Sequence, residues 1–333
     1  MRNANLHAAK TAKNDEFYTR LTDVANELCN YKAHFANKVV FCNCDDPDYS
    51  AFWKYFHLNF AELGLKRLVS THYDRDNSTY KMEYTGGNDN DVTVGTKVPL
   101  EGNGDFRNQE CIDILDRCDI VVTNPPFSLF REYIAQLVEH DKKFLVIGSK
   151  NAITYKEIFP LIKDNKLWLG CNNVTTFNTP DGSEKKFGNI GWFTNLEHSK
   201  RNEKLILWKR YNPDEYPKYD NYDAINVDKV GDIPLDYDGV MGVPITFLDK
   251  YCPEQFEILG ITSGRKEFDE RAYPTKYYQN AIQHNTDGSV TNGSKANTRA
   301  TIQVNTTNET YYTADNASGN LIILYARILV RKV

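Results

Sequence analysis

The chain of 333 residues has no long apolar run. Its longest runs, such as residues 321–326, fall far short of the roughly 18–20 residues that cross a bilayer. Residues 1–10 lack the apolar core of a secretory signal. A soluble, cytoplasmic protein is therefore expected. A disulfide frame and a zinc site are missing too. The seven cysteines, Cys29, Cys42, Cys44, Cys111, Cys118, Cys171 and Cys252, are odd in number, form no CxxC pair and have no histidines at metal spacing. They read as reduced thiols, and no metal is expected. There is no internal repeat, and no surplus of positive charge: 40 Lys plus Arg stand against 45 Asp plus Glu, a net charge of −5. Binding phosphates takes basic side chains in at least local excess, so net charge alone argues against a nucleic-acid partner. What is present is ordinary for a globular protein. Hydrophobic residues make up 41% and charged residues 26%, which excludes a wholly disordered chain. The length suggests about two domains.

Periodicity gives an order of elements. Phe17, Leu21, Val24 and Leu28 recur at helical spacing, predicting a helix over residues 16–31 capped by Asn14 or Asp15. Residues 39–42 form a strand followed by the acidic turn Asn43-Cys44-Asp45-Asp46-Pro47-Asp48. A second helix buries Phe52, Tyr55, Phe56 and Phe60 and ends at Gly64. A strand at 68–70 comes next, then a hairpin of residues 79–85 and 92–98 about the turn former Gly86-Gly87-Asn88-Asp89-Asn90. Helix 111–118, strand 119–123, helix 129–140 and strand 144–147 complete the alternation. Repeated strand and helix with continuously apolar strands predicts an α/β fold, a doubly wound, mostly parallel sheet covered on both faces. After about residue 165 the pattern changes to short aromatic strands at 174–177, 190–193 and 205–208. Residues 211–238 are rich in Tyr, Asp and Pro, residues 284–320 read as loop or hairpin, and 321–330 as a last strand.

The string Asp119-Ile120-Val121-Val122-Thr123-Asn124-Pro125-Pro126-Phe127 carries the most chemical information. An apolar strand delivers an Asn, two prolines and an aromatic ring to the carboxyl edge of a parallel sheet, where open α/β folds place their sites. Two prolines make a stiff loop without backbone donors. Such a loop presents carbonyl oxygens beside the Asn124 amide, an acceptor set suited to the two hydrogens of an amine on a flat ring. Phe127 would stack on that ring. The lone pair of such an amine is delocalised, and two acceptors that draw the nitrogen towards tetrahedral geometry free it to act as a nucleophile.

This string and several others resemble the EcoRI-type DNA adenine-specific methyltransferase family. The others are Lys13-Asn14-Asp15-Glu16-Phe17-Tyr18-Thr19, Cys44-Asp45-Asp46-Pro47 with Phe52-Trp53-Lys54-Tyr55-Phe56, Gly104-Asp105-Phe106, Gly188-Asn189-Ile190-Gly191-Trp192-Phe193 and Gly242-Val243-Pro244-Ile245-Thr246-Phe247. The resemblance runs from about residue 13 to the C-terminus. It implies a Rossmann-like catalytic domain binding S-adenosyl-L-methionine over residues 1–210. It also implies a smaller target-recognition module over 211–333, with the Tyr/Asp/Pro-rich stretch as its connector. Asn124, Pro125, Pro126 and Phe127 become the catalytic loop. Asn14, Asp15, Phe17 and Tyr18 become cofactor residues, as do Asp45, Asp46, Asp74, Asp105 and Phe106, with Asn124 counted among them. The usual Gly-rich turn after the first strand is replaced by the acidic turn, whose carboxylates would meet the cofactor's ammonium. Asp74 would hold the ribose hydroxyls, while Asp105 and Phe106 would meet the cofactor's adenine. A target adenine has to leave the duplex to be reached. Phe127 would stack on one face and either Trp192 or Phe193 on the other, since neighbours on a strand point oppositely.

Double-stranded DNA is the implied partner, with Lys185, Lys186, Lys200, Arg201, Arg265 and Lys266 as its basic footprint. A cognate restriction endonuclease is implied as well, although a solitary or phage-borne enzyme fits equally; no membrane or metal is. Two alternatives stay open: methylation of a protein glutamine amide, served by related Asn-Pro-Pro loops, and a catalytically silent DNA-binding protein. The charge balance divides along the chain. Residues 1–122 carry 14 basic and 19 acidic side chains, residues 123–240 carry 16 and 17, and residues 241–333 carry 10 and 9. The net charge is thus −5 over residues 1–122, −1 over 123–240 and +1 over 241–333. A modest, local basic face with salt-sensitive binding is expected.

Overall fold

Runs rich in β-branched and aromatic residues favour strands because such side chains pack well on a pleated surface. In a computed structural model, which describes residues 18–74, 78–179, 183–263, 268–305 and 307–333, four such runs form the parallel centre of a nine-stranded sheet. The strands are β1 (Tyr18–Thr19), β2 (Val39–Cys42), β3 (Arg67–Thr71), β4 (Tyr80–Tyr84), β5 (Thr96–Pro99), β6 (Ile120–Thr123), β7 (Lys143–Ser149), β8 (Trp168–Asn178) and β9 (Glu184–Thr194). Between them run the helices α1 (Leu21–Leu28), α2 (Ala51–Leu58), α3 (Phe60–Leu63), α4 (Gln109–Asp116), α5 (Phe130–Glu139) and α6 (Phe159–Lys163). The sheet order is β1-β8-β9-β7-β6-β2-β3-β4-β5.

Only β7, β6, β2 and β3 are mutually parallel; every other pairing is antiparallel. The sheet is therefore mixed where a mostly parallel one is expected, because hairpins extend it on both sides. The 79–98 hairpin becomes β4 and β5 at one edge. The short strands expected at 174–177 and 190–193 are parts of β8 and β9, each 11 residues long. Helices nevertheless cover both faces of the centre. Val40, Cys42, Val122, Leu145 and Ile147 share one core cluster with Val24 and Leu28 of α1 and Phe52 and Phe56 of α2. Alternation turns Phe41, Val121, Phe144 and Val146, also buried, to the other face. There Phe130 of α5 packs on Phe193, with ring centroids 5.0 Å apart.

Helix α1 begins at Leu21, later than expected, because Tyr18 and Thr19 are drawn into a ladder with Asn178 and Phe177 of β8. The proposed caps Asn14 and Asp15, like Phe17, lie outside the described residues. One polar anchor fixes α1 to the sheet. The register of β8 on β9 shifts between Leu169 and Asn173. In this bulge the Cys171 and Asn172 amides donate to the fully buried Glu27 carboxylate at 2.7 and 2.8 Å. The Asn172 side-chain amide and the Tyr31 hydroxyl add bonds of 2.9 Å each.

The chain divides into two compact units between Ser199 and Lys200, ahead of the expected boundary at residue 210. The second unit has β10 (Ile225–Asn226), β11 (Met241–Pro244), β12 (Phe256–Ile261), β13 (Ile282–His284), β14 (Val290–Asn292), β15 (Thr301–Val304), β16 (Tyr311–Thr313), β17 (Asn320–Ile323) and β18 (Arg327–Lys332). They form two sheets, β10-β11-β18-β12 and β14-β13-β16-β17-β15. The single strand expected at 321–330 is thus split between both sheets. Residues 205–208, also expected to be a strand, join no ladder. The Gln255 side chain instead bonds the Leu205 amide and carbonyl at 2.7 and 2.9 Å. Among the described residues no helix is long and apolar enough to cross a membrane.

Candidate active site

From β2 the chain passes to β3 on one side, then returns to place β6 on the other side of β2. The connections leaving the carboxyl ends of β2 and β6 therefore diverge, opening the crevice in which doubly wound folds hold ligands. The acidic turn after β2 and the Asn-Pro-Pro-Phe loop after β6 meet at this point. Three hydroxyl groups at the ends of two strands stitch the turn in place. Ser70 of β3 donates to the carbonyls of Cys42 and Asp45, and Thr71 donates to Asn43 Oδ1 at 3.0 Å. The Thr123 hydroxyl of β6 lies against both the Asn43 carbonyl and the Asp45 carboxylate. Cys44 takes the left-handed conformation, φ 66°, that a Gly would ordinarily supply in so tight a turn.

The loop itself is rigid and leaves an acceptor open. The Pro126 carbonyl accepts the Leu129 amide at 2.9 Å as a short 3₁₀ turn leads into α5. Among the described residues nothing donates to the Pro125 carbonyl. Asn124 is half-buried, with its backbone amide 3.4 Å from Asp45 Oδ2. The half-buried Phe127 ring meets Phe177 of β8 and Phe187 of β9 edge-on, at 6.2 and 6.3 Å between centroids.

The cofactor candidates divide into those that face inward and those that line the edge. Asp46 accepts from the Tyr80 hydroxyl at 2.9 Å and the Asp48 amide at 3.0 Å, and its Oδ2 lies 2.9 Å from His72 Nδ1. Burial pushes the Asp46 carboxyl up, but these partners, His72 foremost, outweigh it and hold it below the ordinary range. Asp46 in turn raises His72 above its usual 6.5. Asp74 is half-buried at the end of the β3 connection, its amide donating to the Asn103 carbonyl at 3.2 Å. The loop carrying Asp105 lies directly on this backbone because Gly104 allows it. Gly104 has φ +74°, and an added Cβ would sit 2.1 Å from the His72 carbonyl oxygen. Gly104→Ala is expected to lower stability by about 2–4 kcal/mol, read as a drop in the urea midpoint. The displaced loop should also weaken cofactor binding in equilibrium dialysis. Asp105 forms a two-pronged bond with Arg107, at 2.8 and 2.6 Å, and the guanidinium holds it below the usual carboxylate range. Phe106 is only 3% exposed, its ring edge-on to Tyr133 of α5 at 4.9 Å. Tyr18 lies in β1 beside the Tyr49 ring, 5.9 Å away.

Trp192 and Phe193 are 1% and 0% exposed. Strand alternation sends Trp192 against Phe52 of α2 and Phe193 against Phe130 of α5, so core packing accounts for both. Lys185 and Lys186 are exposed on β9, Lys200 is half-buried and Arg201 is buried; Arg265 and Lys266 lie outside the described residues. Sequence reasoning missed Ser70, Thr71 and Thr123, whose signal was a hydroxyl residue closing an otherwise apolar strand. It also missed Arg107 and Phe187. Among the described residues, no group of three or more His, Cys, Asp or Glu is placed to hold a metal ion.

Comparison with known proteins agrees with this geometry. The family model described as "Adenine-specific methyltransferase EcoRI" matches residues 5–333. The chain is 47% identical over 302 residues to the Type II methyltransferase M.EcoRI of Escherichia coli, covering 80% of this chain and 92% of that one. It is 41% identical over 276 residues to the Type II methyltransferase M.MgeORF184P of Mycoplasma genitalium, covering 77% and 85%. The Type II methyltransferase M.MpnI of Mycoplasma pneumoniae is 41% identical over 272 residues, covering 75% and 83%. No solved structure matches. With nearly its whole length matched and the Asn-Pro-Pro-Phe loop seated at the sheet's switch point, the chain belongs to the EcoRI family of adenine-specific methyltransferases.

Proposed function

We propose that this protein is a site-specific DNA adenine methyltransferase of a restriction-modification system. It acts on the exocyclic amine of an adenine turned out of the duplex, with S-adenosyl-L-methionine as methyl donor. The observation that carries the reading is the loop at the end of β6, where the Asn124 side chain and a Pro125 carbonyl to which no described residue donates stand together at the switch point. These two groups accept the hydrogens of the amine and free its lone pair, and the rigid loop supplies their direction in advance. Phe127 takes one face of the base. Phe187 is the better choice for the other face: it is half-buried beside Phe127, whereas Trp192 and Phe193 are enclosed in the core.

The donor set fits the methyl donor. A carboxylate at the end of the β3 connection, Asp74, suits a ribose diol. The Asp105 carboxylate, in the loop that Gly104 lets lie close, suits an adenine amino group. Tyr18 lies on the β1 side of the site, and Asn14, Asp15 and Phe17 are assigned to the same task by the family motif. When bound, S-adenosyl-L-methionine supplies an electrophilic methyl group. Lys185 and Lys186 on β9 are the exposed cations on the strand that carries Phe187, and they suit phosphate contacts. Residues 211–333 are assigned to target recognition.

Tritium transfer from methyl-labelled cofactor to unmethylated genomic DNA tests the reading. Label recovered in adenine is the expected result. Label in protein would mean amide methylation instead, and DNA binding without any label would mean a silent binding protein.

A further inference from the structure

The acidic turn that replaces the usual Gly-rich one points its first carboxylate at the catalytic loop. Asp45 Oδ2 accepts from the Thr123 hydroxyl and stands 3.4 Å from the Asn124 amide. Oδ1 accepts from Ser50 at 3.2 Å, and the Ser50 hydroxyl oxygen caps α2 by accepting the Phe52 and Trp53 amides at 3.1 and 3.2 Å. Among the described residues no Lys or Arg pairs with this carboxylate. A half-buried carboxylate held only by hydroxyl and amide donors is costly to ionise, and such groups concentrate where a site needs them. We propose that Asp45 is a positioning residue for methyl transfer, whose ionised carboxylate holds Thr123 and Asn124 and so sets the direction of the Asn124 side chain. This rests on the reading of the loop as the amine-binding site, and it gives Asp45 a task other than gripping the cofactor's ammonium.

The groups facing Asp45 leave it as the titrating member of its neighbourhood. Burial pushes its carboxyl up to about 7 against the opposing bonds from Thr123, Asn124 and Ser50, and the nearby charge of Asp46 adds to the rise. Cys42 and Cys44 beside it, and Tyr133 from α5, are pushed by burial well above their usual values and stay protonated. The Asp105 and Arg107 pair acts on Cys44 rather than on Asp45. His72, raised above its usual 6.5, pairs with Asp46 and not with Asp45. Protonated Asp45 turns one of its acceptors into a donor, so turnover should rise with pH through about 7. Stability has the opposite sign. The folded value lies above the ordinary 3.8, so this group's contribution is full below about 4 and declines as pH rises from 4 to 7.

The experiment measures tritium transfer to adenine, at saturating cofactor across pH 6–9, for wild type, Asp45→Asn, Thr123→Val and Thr123→Ser, together with cofactor Kd. For Asp45→Asn, kcat should fall about 10–100-fold at pH 8 and the rise near pH 7 should vanish, with cofactor Kd changed less than about threefold. Thr123→Val removes the hydroxyl but keeps the carboxylate, and should lose a similar factor; Thr123→Ser should restore it. If Asp45→Asn does not fold, the two Thr123 variants decide the matter alone. Wild-type kcat in Asp45→Asn or Thr123→Val would overturn the proposal. So would a lost cofactor affinity with unchanged kcat. Absence of adenine label in the wild-type arm would instead sink the functional reading, and the positioning role with it.

Discussion

Asn124→Ala should lower kcat about a thousandfold, the scale seen when one preorganised polar contact to a transition state is removed. The substitution deletes one of the two acceptors proposed to free the amine lone pair. It leaves the rest of the loop standing. Asn124 meets Asp45 through its backbone amide, which alanine keeps, and the Pro126 carbonyl still closes on Leu129. The loss should therefore appear in kcat, with cofactor Kd changed by less than about threefold. Single-turnover transfer with preformed enzyme–DNA complex separates chemistry from product release. Near-normal single-turnover rates would remove Asn124 from the mechanism. A large loss of cofactor affinity with intact chemistry would move it wholly to the cofactor site.

Glu27→Ala carries the largest expected cost in stability. Four donors converge on this buried carboxylate: the Cys171 and Asn172 amides, the Asn172 side chain and the Tyr31 hydroxyl. Alanine strands them in the core, at roughly 1–3 kcal/mol for each donor that finds no water. A total of about 4 kcal/mol corresponds to a fall in the melting temperature of the first unit of roughly 8–16 °C. Calorimetry would show it. Gly170 beside the bulge admits the carboxylate, since a Cβ there would meet Glu27 Oε1 at 2.2 Å, so no larger neighbour is available to fill the space. Glu27→Gln keeps one acceptor oxygen but turns an amide against the backbone donors, and should fall between wild type and alanine. A melting temperature unchanged in Glu27→Ala would mean that water replaces the carboxylate at no cost.

The apolar strands at residues 39–42, 119–123 and 144–147 and the helices at 111–118 and 129–140 were legible because burial on both faces leaves an unbroken apolar run, and burial on one face leaves a helical stripe. The long hairpin of β8 and β9 was not legible. Its ladder breaks at two register shifts, and only its apolar ends carry a signal. Residues 205–208 have the composition of a strand but no neighbouring strand to pair with, which no local pattern reveals.

The site divides the same way. The sequence by itself determined the stiffness of the Asn-Pro-Pro-Phe loop, because two prolines after an Asn impose their geometry through local sterics alone. It also determined the family, through motifs spread along nearly the whole chain. Only the tertiary structure decided what the acidic turn does: Asp45 turns to Thr123 and Asn124, 78 and 79 residues away in the chain, and Asp46 to His72 and Tyr80. It decided equally that Trp192 and Phe193 belong to the core and that Phe187 stands beside Phe127. The physical reason is that strand order, which the local pattern of apolar residues does not encode, brings the ends of β2, β3 and β6 together and sets which side chains find partners there.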